Sequence, residues 1–315
     1  MPDDAADCHT CGHISRRISD LEGNHWIDTG RSWSACGTVA EAMSMLPSPF
    51  LFSQSSLQDY SDCPRRFELR HIARLNWPAE EAEPALENEH RQQEGQLFHR
   101  LAQQFLLGLP ADSLSRLATS PNLARWWDNF QASFHNPKNL GSLHPEITLT
   151  APIGNHRLLA KYDLIALRDG KATVYDWKTY HNRPRNEWMA IRLQTRVYRY
   201  LLTVAGSFLN DGETIRPESV EMVYWYADYP SEPAVFRYDQ AQFQRDSSTL
   251  EKVVSEIEGL DKFELTGDVG KCRFCAYRSY CKRGAVAGDW REAEAEAEVS
   301  ETFDIDLEQI SEIAF

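Results

Sequence analysis

Between residues 143 and 180 the pattern of apolar and polar positions is that of strands, in the runs "HPEITLTAPI", "HRLLAKYDLIALRD" and "KATVYDWKTY". The short links "IGNH" and "RDGK" between them are turn formers, so the pattern predicts a three-stranded meander. Beyond it the pattern becomes helical. "EWMAIRLQTRVYRYLLTVAG", residues 187–206, has the length and apolar spacing of one helix, as do "EGQLFHRLAQQFLLG" before the meander and "AQFQRDSSTLEKVVSEIEGL" after it. Two further strand-like runs, "SVEMVYWYAD" and "PAVFRYD", lie between the last two helices. Upstream, "SQSSLQDYSDCPRRFELRHI" reads as a helix start. There Ser55 and Gln58 fit a capping box, Leu57, Tyr60 and Phe67 recur at helical spacing, and Pro64 interrupts or bends the helix. The order of helix, three strands, helix, two strands, helix predicts an α/β domain whose central mixed sheet is flanked by helices.

The periodic region spans residues 49–285 and is the expected domain. Residues 1–48 show little periodicity and read as a weakly structured leader, with Met43 or Met45 as an alternative start. Within it "CHTCGH" offers Cys8, His9, Cys11 and His13, with His25 and Cys36 beyond, as candidates for a small zinc site. Residues 286–315 read as a solvated acidic tail of low complexity. Its last ten residues, "DLEQISEIAF", are candidates for a partner-binding helix or an autoinhibitory mimic of DNA charge.

Composition narrows the class. With 315 residues, 42% of them hydrophobic and 25% charged, the chain has enough apolar material for one large globular domain. It has no run of about 18 apolar residues and no basic, apolar signal sequence at its start, which points to a cytoplasmic protein with no membrane partner. The net charge of −14 argues against a nucleic-acid partner until it is mapped. Residues 289–315 carry −9 and residues 79–94 carry −5, so the remainder is neutral and holds Arg65, Arg66, Arg70, Arg183, Arg185, Arg192, Arg196 and Arg199. A DNA substrate is compatible with that distribution.

In an extended chain Asp176 and Lys178 share one face while Tyr175 and Trp177 share the other. An exposed ion pair on a strand is the plainest explanation, and context decides against it. Asp163 sits in the preceding strand, and a hairpin brings the two carboxylates together. Two neighbouring acids repel unless a cation lies between them, and Mg²⁺ or Mn²⁺ prefers hard oxygen ligands of this kind. The Trp177 carbonyl, between the two functional residues, is a further candidate ligand. Lys178 would place a positive charge where it orients the attacking water and meets the charge growing on a phosphate. His99, among Leu97, Phe98, Leu101 and Phe105, is by itself more readily a structural histidine. Gln194 and Tyr198 fall four apart on one helix face.

A strand carrying Asp, then Asp-x-Lys, then a helix with Gln and Tyr four apart resembles the PD-(D/E)xK nuclease superfamily, in its RecB-like branch, over roughly residues 50–285. The resemblance implies a restriction-endonuclease-like core and a role for each matching position. His99 in "GQLFHRL" would join the metal site, and Glu146 in "HPEITLT" matches an acidic position preceding the catalytic hairpin. Asp163 and Asp176 would be the metal-binding carboxylates and Lys178 the catalytic lysine. Gln194 and Tyr198 in "QTRVYRY" would support the site and the nucleic-acid strand. Ala160 stands where the family often has glycine.

Seven cysteines in a cytoplasmic chain suggest metal ligation or burial rather than disulfides. A branch of this family, including AddB-type nuclease subunits and CRISPR-associated exonucleases, is similar in having one cysteine before the core and three after it. Here these are Cys63 and the C-x2-C-x5-C set Cys272, Cys275 and Cys281. The resemblance implies a [4Fe-4S] cluster that staples a helical region across the two ends of the domain; four thiolates also suit Zn²⁺. The activity so implied is a metal-dependent DNA exonuclease preferring single-stranded or free ends, in DNA repair or recombination beside a helicase or repair partner. The alternatives are a catalytically inactive nucleic-acid-binding scaffold and a nuclease of CRISPR spacer processing.

Overall fold

In the computed structural model, which describes residues 46–75 and 82–292, the chain is arranged around one long strand, β4 (His156–Arg168). Ahead of it come β1 (Leu51–Ser53), α1 (Gln54–Asp62), α2 (Pro64–Phe67), β2 (Ala82–Glu83), α3 (Ala85–Leu106), α4 (Ala111–Ser115), α5 (Pro121–Ser133) and β3 (Ser142–Ile153). After it come β5 (Lys171–Lys178), α6 (Asn186–Ile191), α7 (Leu193–Ala205), β6 (Val220–Tyr226), β7 (Tyr229–Arg237), α8 (Gln240–Glu258), α9 (Arg278–Cys281) and β8 (Gly288–Asp289). The six-stranded sheet runs β1-β4-β5-β6-β7, with β3 also paired to β4. It is mixed: β1 with β4 and β5 with β6 are parallel, while the remaining pairs are antiparallel.

β4 is buried on both faces, with Leu158, Leu159, Ala160, Tyr162, Leu164 and Ile165 all inaccessible, which is why its apolar run is nearly unbroken. Over one face lie α1, α7 and α8, whose Leu57, Val197, Leu201, Leu250 and Val254 pack with Tyr162, Val174, Met222 and Tyr224. Over the other lie α3 and α5. Their Phe98, Leu101, Trp126 and Phe130 pack with Leu164, Trp177 and Trp225, an aromatic layer held by edge-to-face contacts such as Phe130 on Trp177 at 5.2 Å.

Two features of this sheet make room for a site. One edge of β4 is shared: β1 pairs with Arg157–Leu159 and β5 with Leu164–Arg168, leaving 160–163 between two partners. Along the other edge, β3 is in constant register, with Pro145 opposite Leu164 and Ile147 opposite Tyr162. The single unpaired step between them holds Glu146, at φ 54°, opposite Asp163. There the strands change phase. Leu143 packs in the aromatic layer but Leu149 in the other core, although both numbers are odd, and Leu164 and Tyr162 divide in the same way.

The meander, the last two strands and α8 match the expected pattern. Other elements differ. The capping box belongs to Ser53 and Ser56, not Ser55 and Gln58, because the chain leaves β1 and turns into α1 at Ser53. Pro64 does end that helix, with Cys63 extended and a short second helix following. The expected helix 187–206 is two helices: Arg192 is extended (φ −62°, ψ 146°) and Thr195 Oγ1 donates to the Met189 carbonyl at 2.5 Å, taking up a carbonyl at the break. α3 begins at Ala85 rather than Glu94, because Asn88 and Arg91 add a buried face to it. β8 pairs in parallel with β2 and Trp290 is buried, so residues 286–292 of the segment read as a tail are part of the fold. The leader with its proposed zinc ligands and the segment "DLEQISEIAF" lie outside the described residues.

Candidate active site

α3, β3, β4, β5 and α7 bring the predicted residues together at the shared edge of β4. The β4–β5 ladder ends at Leu164↔Tyr175, so Asp163 and Asp176 lie opposite each other one step beyond the last pair. β6 continues the row, with Tyr224 beside Asp176. Glu146, Asp163, Asp176 and Tyr224 thus follow one another across four strands. Freed from the ladder, the Trp177 N–H donates to Asp163 Oδ2 at 2.7 Å. N–H and C=O of one strand residue leave the same side of the strand, so the Trp177 carbonyl also faces β4.

His99 Nδ1 lies 3.2 Å from Asp163 Oδ1. His99, Glu146 and Asp163 each offer a ligand atom, and these atoms lie within 4.8 Å of one another. Burial pushes the Asp163 carboxyl up, but His99, the Trp177 N–H and Lys178 outweigh it and hold the group below its usual range. Glu146 goes the other way: burial and the Asp163 charge raise it despite Lys161 Nζ at 2.6 Å. The repulsion between two crowded carboxylates is what a divalent cation would relieve, and the donor set of two carboxylates and an imidazole suits one.

Asp176 stands in the next position, almost wholly buried, with Oδ1 accepting from Gln194 Nε2 at 2.8 Å and Oδ2 2.8 Å from Lys178 Nζ. Lys178 is 1% exposed, which excludes the surface ion pair considered from sequence. On the opposite face Tyr175 and Trp177 stack in the aromatic layer. The break before α7 puts Gln194 in the first turn of that helix, whose positive end favours a neighbouring carboxylate. Tyr198, one turn later, donates to the Lys161 carbonyl at 2.7 Å and so bridges α7 to the unpaired stretch of β4.

Four neighbours were not marked by motif. Lys161 pairs with Glu146, and its signal was a charge two residues before Asp163 in an apolar run. Gln54 Nε2 donates to Tyr198 at 3.3 Å, and Tyr224 lies beneath Lys178; both are long-range contacts with no local signature. Gly95, one turn before His99, lets α3 approach the end of β5: a Cβ there would meet Thr179 Oγ1 at 3.1 Å.

Cys63, Cys272 and Cys275 are buried and Cys281 is half-buried. Cys63 occupies the break between α1 and α2, and the other three flank the short turn and helix ending at Cys281. Burial pushes the Cys275 thiol up to about 11, with Cys63 and Cys281 adding to the rise; burial, Cys63 and Cys272 raise Cys281. The Tyr277 N–H reaches Cys275 Sγ at 3.4 Å, and Leu69, Leu75 and Ala276 give an apolar surround. Lys271 Nζ to Asp62 at 2.7 Å and Tyr277 Oη to the Leu75 carbonyl at 3.1 Å tie the segment after α8 to the one around α1 and α2.

The fold, a mixed sheet flanked by helices, and the carboxylate–lysine row define a nuclease of the phosphodiester-hydrolysing, divalent-metal type. The chain belongs to the PD-(D/E)XK nuclease superfamily, which it matches over residues 51–282. Among solved structures it is similar to SSO0001, with 11% identity, 75% of this chain and 87% of that chain covered, and a TM-score of 0.35. It is also similar to a protein named "Putative exonuclease" from Eubacterium rectale, with 10% identity, coverage of 71% and 86%, and a TM-score of 0.40. No curated protein matches the chain. No described helix is long and apolar enough to cross a membrane.

Proposed function

We propose that this chain is a metal-dependent deoxyribonuclease of the RecB-like branch, an exonuclease preferring single-stranded ends, acting in DNA repair in the cytoplasm. The observation that carries the reading is the unbroken row Glu146, Asp163, Asp176 with Lys178 at its end and His99 above it. A binding scaffold has no need to bury a lysine beside two carboxylates. In this reading His99, Glu146, Asp163, Asp176 and the Trp177 carbonyl hold Mg²⁺ or Mn²⁺, which supplies a Lewis acid at the scissile phosphate. Lys178 keeps a positive charge beside that phosphate and orients the attacking water. Gln194 and Tyr198 fix Asp176 and the open stretch of β4. The nuclease domain extends past residue 285 to β8 and Trp290, and Cys63, Cys272, Cys275 and Cys281 hold a [4Fe-4S] cluster that staples the parts of the domain that come before and after the central strands in the chain. Anaerobically purified protein would then be coloured; a colourless zinc protein would refute the cluster.

The deciding experiment incubates end-labelled single-stranded DNA with the protein and Mg²⁺ or Mn²⁺. The expected result is shortening of the strand by the wild type and its loss in Asp176→Ala and Lys178→Ala. Cleavage undiminished in either variant removes the assignment, and an inactive wild type points to the scaffold.

Gly95 gives a subtler prediction. Gly95→Val forces α3 away from Thr179 and carries His99 off Asp163, so the cleavage rate is expected to fall about 10–100-fold, the scale of a misplacement of about 1 Å. The helix itself tolerates the change, since glycine inside a helix already costs about 1 kcal/mol relative to alanine. A fall in melting temperature with an unchanged rate in the surviving folded protein would contradict it.

A further inference from the structure

Tyr224 closes the carboxylate row, and nothing in the proposed chemistry accounts for it. It is wholly buried in a central strand, where phenylalanine would fill the space without the cost of desolvating a hydroxyl. The hydroxyl is directed at the site. Thr195 Oγ1 gives its own proton to the Met189 carbonyl, so across the 2.8 Å between Thr195 Oγ1 and Tyr224 Oη the tyrosine is the donor. The tyrosine proton also faces Gln194 Oε1 at 3.5 Å, the longer arm of a three-centre bond shared between Thr195 and Gln194. A donor on that side makes the amide oxygen of Gln194 face Tyr224 and its NH₂ face Asp176 Oδ1, where it is found at 2.8 Å. The reversed amide would set an oxygen against the carboxylate. The ring has a second use: Lys178 Nζ lies 5.6 Å from its centroid, within cation–π range, as it does for Tyr180 at 5.7 Å.

We propose that Tyr224 is a positioning residue for both charged groups: its hydroxyl orients the Gln194 amide that holds Asp176, and its ring beds the Lys178 ammonium. The circuit runs from Asp176 to Lys178, to the Tyr224 ring, through its hydroxyl to Gln194 and back to Asp176. This inference rests on the nuclease reading.

Two substitutions separate the two uses. Tyr224→Phe keeps the ring and loses the hydroxyl; kcat on single-stranded DNA with Mn²⁺ is expected to fall about tenfold with KM unchanged, because a buried residue that touches no substrate acts on the reacting groups alone. Tyr224→Leu loses both, and about a hundredfold fall is expected. The hydroxyl acts through Gln194, so adding Tyr224→Phe to Gln194→Ala should cost less than about a factor of two. Wild-type kcat in Tyr224→Phe, or the same loss in the Gln194→Ala background, overturns the proposal. If Asp176→Ala remains active, or the wild type is inactive, the nuclease reading fails and this inference with it. If Tyr224→Leu does not fold, the phenylalanine variant and its double mutant still decide.

Discussion

Asp163→Asn is expected to lower the cleavage rate by about a thousandfold while leaving the fold in place. The carboxamide keeps an oxygen for the Trp177 N–H, which otherwise has lost its ladder partner. What disappears is the charge between Glu146 and Asp176. Electrostatic stabilisation by a bound cation is worth several kcal/mol, and about 4 kcal/mol corresponds to about three decades in rate. Without metal the variant should unfold at a slightly lower temperature than the wild type, because the favourable setting of the Asp163 charge is lost and relief of the raised Glu146 offsets part of that loss. The contrast comes with Mn²⁺: the wild type should gain about 2.7 kcal/mol when free metal is a hundred times its dissociation constant, and Asp163→Asn should gain far less. Equal stabilisation of both proteins by Mn²⁺ would place the cation elsewhere.

Asp59→Ala is expected to be the most destabilising single change outside the core, costing about 3–5 kcal/mol in denaturant unfolding. Asp59 is 1% exposed and receives Arg66 at 2.7 Å, Arg70 at 3.2 Å and His71 at 2.8 Å. Burial would raise its carboxyl, yet Arg66, the His71 bond and Arg70 together hold it at about 2, against an ordinary 3.8. A carboxyl whose folded pKa is depressed stabilises the fold above its unfolded pKa and loses that contribution as pH falls through the folded one. Between about pH 4 and pH 2 the wild type should therefore lose about 2 kcal/mol at this residue. Asp59→Ala should show a correspondingly flatter acid limb. An unchanged acid limb would mean that the network is not formed in solution.

Much of the site was legible because its signals are local. Asp163, Asp176 and Lys178 lie in short apolar runs bounded by turn formers, and Gln194 and Tyr198 are one helical turn apart. β1 was not legible, since three residues joining β4 in parallel across about 100 positions leave no periodic trace. Nor was the break at Arg192, which depends on a threonine side chain and a carbonyl meeting in three dimensions. α5 is absent from the elements read by pattern, although Ser120 as N-cap, Pro121 at its start and Leu123, Trp126, Trp127 and Phe130 at helical spacing make a readable signature. Glu146 was weakest in sequence and gains most from the fold, because its partner Asp163 is set by register and its strain by a change of phase that no window of residues reveals.

Helix α1 has a consequence beyond its packing. Its first residue, Gln54, bonds Tyr198 at the open stretch of β4, and its last, Asp62, holds Lys271 beside the thiols. Nine helical residues span about 13 Å. One short helix therefore touches the open stretch of β4 at its first residue and the segment carrying Cys272 at its last.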